Sequence, residues 1–180
     1  GRESGRLMAH SVELLFDADT ESAVRRIWED LMTVGVRSQA AHTSPSNRPH
    51  VTLTVAQRMD HAVIDRLRPV LARLPLECRI GAPMLFGSRA VTLVRLVVPT
   101  AELLGLQAEV HRICLPHMLD GPLANVERGT WTPHVTRARR IPPDQLPQAF
   151  TLPQFGQDVR GRVTGLRFWD GEAKVVHPIS

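Results

Sequence analysis

The tetrapeptide Pro-His-Val-Thr occurs twice, at residues 49–52 and 133–136, one copy in each half of a 180-residue chain. Each copy offers an imidazole that can take or give a proton near neutral pH and, two residues on, a hydroxyl that can hydrogen-bond an anion. On a strand, residues two apart project to the same face. His50 and Thr52 would then point one way and Val51 the other, and the same alternation sets His134 and Thr136 against Val135. Two such pairs brought face to face would place an acid, a base and two hydrogen-bond donors around one small charged group. Taken singly, each histidine is accounted for as a strand-start residue satisfied by a backbone carbonyl. The shared context, a proline before and a β-like run after, makes the pair a candidate site.

Elements must carry these residues to one place. The pattern predicts a strand over 8–16, helix-start residues at 17–20, and an amphipathic helix with Val24, Ile27, Trp28 and Leu31 at i, i+3, i+4, i+7, ending near Gly35. A polar loop with two prolines, 38–49, leads into the first motif strand, 50–56. Asp60 would cap a helix through Val63, Ile64, Leu67, Val70, Leu71 and Leu74 that Pro69 kinks or splits. A hairpin follows, 76–86 and 90–98 around Gly87-Ser88. Thr100 caps a helix carrying Leu103, Leu104, Leu106, Val110, Ile113 and Cys114. The second motif strand, a Pro-rich connection over 141–153 and a closing hairpin around Asp170-Gly171 complete the order. Strands and helices mix without βαβ alternation, so the class is α+β with antiparallel sheets. Each half holds a helix, a loop and then the motif strand, which hints at duplication.

Composition limits the function classes. With 43% hydrophobic residues the chain can bury a real core. No apolar run reaches the ~18 residues of a membrane helix, and no signal-peptide order is visible, so a cytoplasmic protein with no membrane partner is expected. Residues 1–7 are polar and unpatterned and read as an expression remnant before one domain over 8–180. Cys78 and Cys114 lack close metal-ligand spacing and sit in apolar segments, as buried thiols do. The net charge of +4 is almost all arginine, since Lys174 is the single lysine among 22 basic residues. Such a skew fits a GC-rich genome and also suits phosphate recognition by guanidinium forks.

These motifs resemble the 2H phosphoesterase superfamily and, within it, the bacterial 2'-5' RNA ligase and RNA 2',3'-cyclic phosphodiesterase group. The likeness runs from about Met8 to the C-terminus and rests on His50-Val-Thr-Leu53 and on His134-Val-Thr-Arg-Ala-Arg139. The second motif of that family often ends in an arginine three residues after the threonine, the place of Arg139. The resemblance implies a bilobal α+β fold whose two pseudo-symmetric, mostly antiparallel sheets, flanked by helices, form a cleft with both motifs on its floor. It also implies chemistry without a metal or other cofactor, on a partner that is an RNA with a 2',3'-cyclic phosphate end or a small cyclic nucleotide. By that likeness His50 is the general acid, His134 the base, and Thr52 and Thr136 hold the phosphate. The chain departs from the family at Arg137, where an apolar residue is common, and in having no tyrosine, so that a base would stack on Phe or Trp. The same chemistry on ADP-ribose cyclic phosphate or a 2'-5' oligonucleotide, and a basic module that binds RNA without turnover, are the competing readings.

Other residues enter as candidates of lower weight. Trp131 precedes the second motif and could stack on a base or be buried between lobes. His42, in the loop before the first motif, could gate the substrate. Regular alternation sends Arg137 and Arg139 to the face opposite Thr136 as a solvated edge, unless a bulge re-aims them. His10 falls on a strand face shared with Val12 and Leu14 and reads as core, while His111 and His117 read as helix-surface residues. Neither motif histidine has a paired Asp, Glu or Cys at ligand spacing, which argues against zinc in the site. A monomer is expected.

Overall fold

A computed structural model describes residues 8–180. The segment 1–7, read above as an expression remnant, lies outside the described residues. Seven strands form one antiparallel sheet: β1 (His10–Phe16), β2 (His50–Ala56), β3 (Leu76–Phe86), β4 (Val91–Val97), β5 (His134–Ile141), β6 (Val159–Asp170) and β7 (Val175–Pro178). Four helices accompany them: α1 (Ala18–Thr33), α2 (Val63–Arg66), α3 (Ala101–Cys114) and α4 (Leu146–Ala149). The sheet order is β2-β1-β6-β3-β4-β5, with β7 also on β6.

In place of two separate sheets there is one, whose two halves are continuous through β6. Its C-terminal part pairs with β1 from Val163 to Asp170, while its N-terminal part pairs with β3 from Val159 to Val163. Each half-sheet then has the same plan: a central strand, β1 or β4, flanked by a motif strand, β2 or β5, and by a strand contributed from the other half of the chain, β6 or β3. The duplication suggested by element order thus appears in the topology as an exchange of strands. The motif strands lie at opposite ends of this path, yet β2 and β5 touch, so the sheet curls until its two edges meet.

Local chemistry fixes the helices. Asp17 is extended and accepts from Thr20 N at 3.0 Å, and Asp19 and Glu21 occupy the first turn, as the helix dipole favours. Thr20, Val24, Ile27, Trp28 and Leu31 form the buried stripe. The helix stops at Gly35, whose φ of +83° suits glycine alone at low cost, with Gly35 N and Val36 N closing on Met32 O and Leu31 O. Thr100 caps α3 by accepting from Leu103 N at 3.1 Å. Its buried face is Leu103, Leu106, Gln107, Val110, His111 and Cys114. Leu104 therefore faces solvent, and His111, read from sequence as a surface residue, is buried and 2.9 Å from Thr54 Oγ1. The helix expected after Asp60 is only one turn of α2; from Arg68 to Arg73 it tightens to a 3-10 helix at Pro69, which cannot donate to an α-helical ladder.

Each long helix reaches across to the other half. The α1 helix packs on β6 and β5, and α3 packs on β2. Cys78 and Cys114 are both buried and unpaired, and burial pushes their thiols up to about 11 and about 12. No helix among the described residues is long and apolar enough to cross a membrane.

Candidate active site

The motif strands carry their side chains as alternation requires. Val51 and Val135 are buried, whereas His50, Thr52, His134 and Thr136 are partly exposed on the other face. Both strands then break register directly after the threonine. Glu13 pairs with Thr52 and Val12 with Thr54, leaving Leu53 as the extra residue; Val94 pairs with Thr136 and Leu93 with Ala138, leaving Arg137 extra. The two bulges occupy equivalent places and confine each His-x-Thr pair to the end of its strand.

Two tryptophans tie these edges together. Trp28 Nε1 on α1 donates to Thr136 O at 3.1 Å, and Trp131 Nε1 donates to Thr52 O at 2.9 Å. Each indole satisfies a carbonyl of the motif strand that the other half of the chain supplies, and Gln107 on α3 adds a bond to Leu53 O at 3.1 Å. Trp131, expected either to stack on a base or to sit between lobes, is partly buried against the core in the second role.

The two imidazoles are held alike. His50 Nδ1 lies 2.7 Å from Arg48 O and His134 Nδ1 lies 2.8 Å from Thr132 O, in each case the carbonyl two residues back. A carbonyl can only accept, so Nδ1 carries a proton in both rings and Nε2 is the atom left for chemistry. The backbone-satisfied reading of each histidine is therefore met in both copies by one geometry.

Beside His50 lies a residue the sequence reading did not single out. Glu13, buried in β1, sets Oε2 3.4 Å from His50 Nε2. Arg167 Nε donates to Glu13 Oε1 at 2.8 Å, and Ser11 Oγ donates to Oε2 at 2.9 Å. Burial alone would raise the Glu13 carboxyl, but the charges of His50 and Arg167 and the bonds from Arg167 and Ser11 outweigh it and hold it below its ordinary range. Arg167 also donates to Ser46 O at 2.9 Å, so the same network anchors the loop before the first motif. The available signal was Glu13 as the one acid in β1, which pairs with Arg167, one of three arginines in β6.

Phe86 is the second unanticipated neighbour. It is 39% exposed and meets the His134 ring edge-on, with centroids 5.0 Å apart. In a chain without tyrosine it is an aromatic surface at the site itself.

The remaining candidates scatter. His42 is exposed, and its carbonyl accepts from Asn47 Nδ2 at 2.9 Å, so its loop is hydrogen-bonded across a 3-10 turn at Gln39–Ala41 that lies against β5. Arg139 is exposed beyond the bulge. Arg137, expected with it on a solvated edge, is instead 1% exposed. The register shift separates the two arginines, and Arg137 takes the core position that apolar Leu53 takes in the first copy. It donates to Phe155 O at 3.5 Å and packs near the Phe155 ring. Buried Arg95 lies close by, bonded to the carbonyls of Gly81, Ile80, Phe155 and Gln157. Burial and the Arg95 charge lower the Arg137 guanidinium to about 9, which leaves it protonated at neutral pH. His10 is buried, as expected of a core residue. A surface concavity of about 650 Å3, lined by α3 with Arg73, Glu127 and Arg128, includes neither motif.

Comparison with known proteins gives one family and several solved structures of similar fold. The model of the 2'-5' RNA ligase superfamily matches residues 16–174. Among solved structures, Usb1 of Kluyveromyces marxianus with uridine monophosphate is similar at a TM-score of 0.55 and 12% identity, covering 98% of this chain and 99% of that one. The structure of TT0787 of Thermus thermophilus is similar at a TM-score of 0.55 and 18% identity, with 96% of each chain covered. At those identities the likeness concerns the fold. No curated protein matches the sequence.

Proposed function

From the premise that the chain belongs to the 2'-5' RNA ligase superfamily of 2H phosphoesterases, we propose that it opens 2',3'-cyclic phosphates on RNA ends or small nucleotides, leaving a 2'-phosphate. The observation that carries this reading is the pair of imidazoles, each fixed through Nδ1 by the carbonyl two residues back and each accompanied by a threonine on the same face. In the proposed reaction water attacks phosphorus as the ribose 3' oxygen leaves from the opposite side. His134 Nε2 takes the proton from water, and protonated His50 gives one to the departing oxygen. The new P–O bond replaces the broken P–O3' bond, and the net proton transfer is from water to ribose. Thr52 and Thr136 donate to the nonbridging oxygens as charge builds on them.

Glu13 supports the acid role of His50. Both nitrogens of that ring face acceptors, Arg48 O and the Glu13 carboxylate, which is the environment of an imidazolium. Phe86 supports a nucleotide substrate, since a base seated beside His134 would find an aromatic face there. Run in reverse, the same steps would join ends through a 2'-5' bond.

The test is a short RNA ending in a 2',3'-cyclic phosphate, incubated in EDTA with wild type, His50→Ala and His134→Ala and followed by mass spectrometry and phosphorus NMR. Wild type is expected to yield a 2'-phosphate, with each variant slower by about 10²–10⁴-fold, the usual worth of one acid or base. A 3'-phosphate would exchange the roles of the two histidines. A variant turning over at the wild-type rate would end the two-histidine mechanism, and salt-sensitive binding without hydrolysis would favour a non-catalytic RNA module.

A further inference from the structure

Three side chains that the proposed chemistry does not use converge at the opposite end of β1 from His50. In the β1–β2 ladder His50 stands across from Leu15, whereas His10 stands across from Ala56. His10 also faces Asp170, the last residue of β6, and His61 approaches from the turn before α2. Their ligand atoms all lie within 4.8 Å of one another. His61 Nε2 is 2.9 Å from Asp170 Oδ2, and His10 Nε2 is 3.0 Å from Asp170 Oδ1. The second contact is off the line of a hydrogen bond, so the buried His10 Nε2 has no hydrogen-bond partner although a carboxylate oxygen lies beside it. His177 on β7 meets the His61 ring edge-on with centroids 5.2 Å apart.

We propose that His10, His61 and Asp170 form a binding site for one divalent transition-metal ion of the zinc type, structural in role and separate from the His-x-Thr pair. The donor set carries the choice of ion. Two imidazoles and one carboxylate suit zinc, cobalt or nickel, whereas magnesium and calcium take oxygen ligands. Around zinc at about 2.0–2.2 Å the ligand atoms stand roughly 3.3–3.5 Å apart, so atoms already within 4.8 Å need only small adjustments.

The surroundings fit a ligand set. Metal-bound histidines hand their second N–H to a carbonyl or carboxylate. His10 Nδ1 lies 3.1 Å from Met59 O and can donate there once Nε2 is given to the ion. Without the ion it accepts from Met59 N at 2.9 Å, so the ring has a partner in either tautomer. Asp170 Oδ1 is fixed by the backbone N–H groups of Glu172 and Ala173 at 3.0 and 2.9 Å, which leaves Oδ2 turned to the ion. His61 is the solvent-side ligand, with 49% of its side chain exposed, and gives the ion a way in. A water or His177 would complete a four-coordinate site. The ion would link β1, β6 and the turn before α2.

The test is a zinc titration of the purified chain by equilibrium dialysis with metal analysis, together with cobalt substitution read by visible absorption. One zinc per chain and a cobalt spectrum of tetrahedral intensity are expected. His61→Ala, an exposed position that leaves the core intact, should weaken binding by at least about 10–100-fold, the loss that even an outer-sphere partner causes. His50→Ala should bind as wild type does. No stoichiometric zinc, equal binding by His61→Ala, or loss of binding in His50→Ala would each overturn the site.

Discussion

At the scale of single residues, the most informative position is the one directly after each motif threonine. Leu53 and Arg137 occupy equivalent bulges and both are buried, yet one is apolar and the other charged. Arg137 Nη2 has no hydrogen-bond partner, and Arg95 adds a like charge nearby. An unsatisfied buried donor costs about 1–3 kcal/mol. Arg137→Leu should therefore raise stability by about that amount in urea denaturation, since the first half already folds with leucine there. A loss of stability would mean that the carbonyl of Phe155 and the nearby ring repay the charge in full. The sequence made this residue visible as a departure from a usually apolar place and assigned it to a solvated edge unless a bulge re-aimed it, and the bulge is present. Regular alternation has no means of anticipating a bulge, because one inserted residue reverses every later side chain.

At the scale of elements, the site depends on how closely α1 approaches the sheet, and one glycine sets that distance. A Cβ built at Gly161 on β6 would lie 2.9 Å from Thr20 Cβ and closer still to Thr20 Oγ1, which accepts from Arg162 N. At Gly165, four residues along the same strand, a Cβ would meet Leu15 Cβ at an ordinary 3.5 Å. Gly161→Ala must push α1 outward, and α1 carries the Trp28 indole that holds Thr136 O. We expect Gly161→Ala to destabilise by about 1–3 kcal/mol, the usual cost of overpacking, and to slow turnover, while Gly165→Ala leaves both nearly unchanged. Equal effects of the two substitutions would show that the helix tolerates displacement. The helix itself was legible from Asp17, the stripe through Val24, Ile27, Trp28 and Leu31, and Gly35. Its contact with a motif strand more than a hundred residues away was not, because no local pattern encodes which carbonyl an indole will find. The α3 stripe shows the same limit, since Leu104 and His111 exchange faces once the true phase of the helix is known.

At the scale of the molecule, the seam between β1 and β6 joins the two ends of the chain and holds two carboxylates that sequence patterning left unexplained. Glu13 bonds Arg167, and Asp170 accepts from Glu172 N and Ala173 N and lies beside His10 and His61. Burial would raise both carboxyls. For Glu13 the charges and bonds of its partners prevail, and for Asp170 the backbone bond from Ala173 and the two histidines do, so both sit below their ordinary values of 4.5 and 3.8. A depressed folded value means that the unfolded chain takes up the proton first. The stabilisation is then complete above the ordinary value and disappears as pH falls through the folded one. Urea midpoints should accordingly change little between pH 7 and about 5 on account of these groups and fall below that. Glu13→Gln separates this seam from the general acid response of the protein. It should be less stable at pH 7 by about 3–5 kcal/mol, because Arg167 is left buried with its charge uncompensated, but it should lose less on going from pH 5 to pH 3 than wild type does. An acid slope equal to that of wild type would place the pH dependence elsewhere, and with it the idea that the carboxylate beside His50 also fastens the first strand to the last long one.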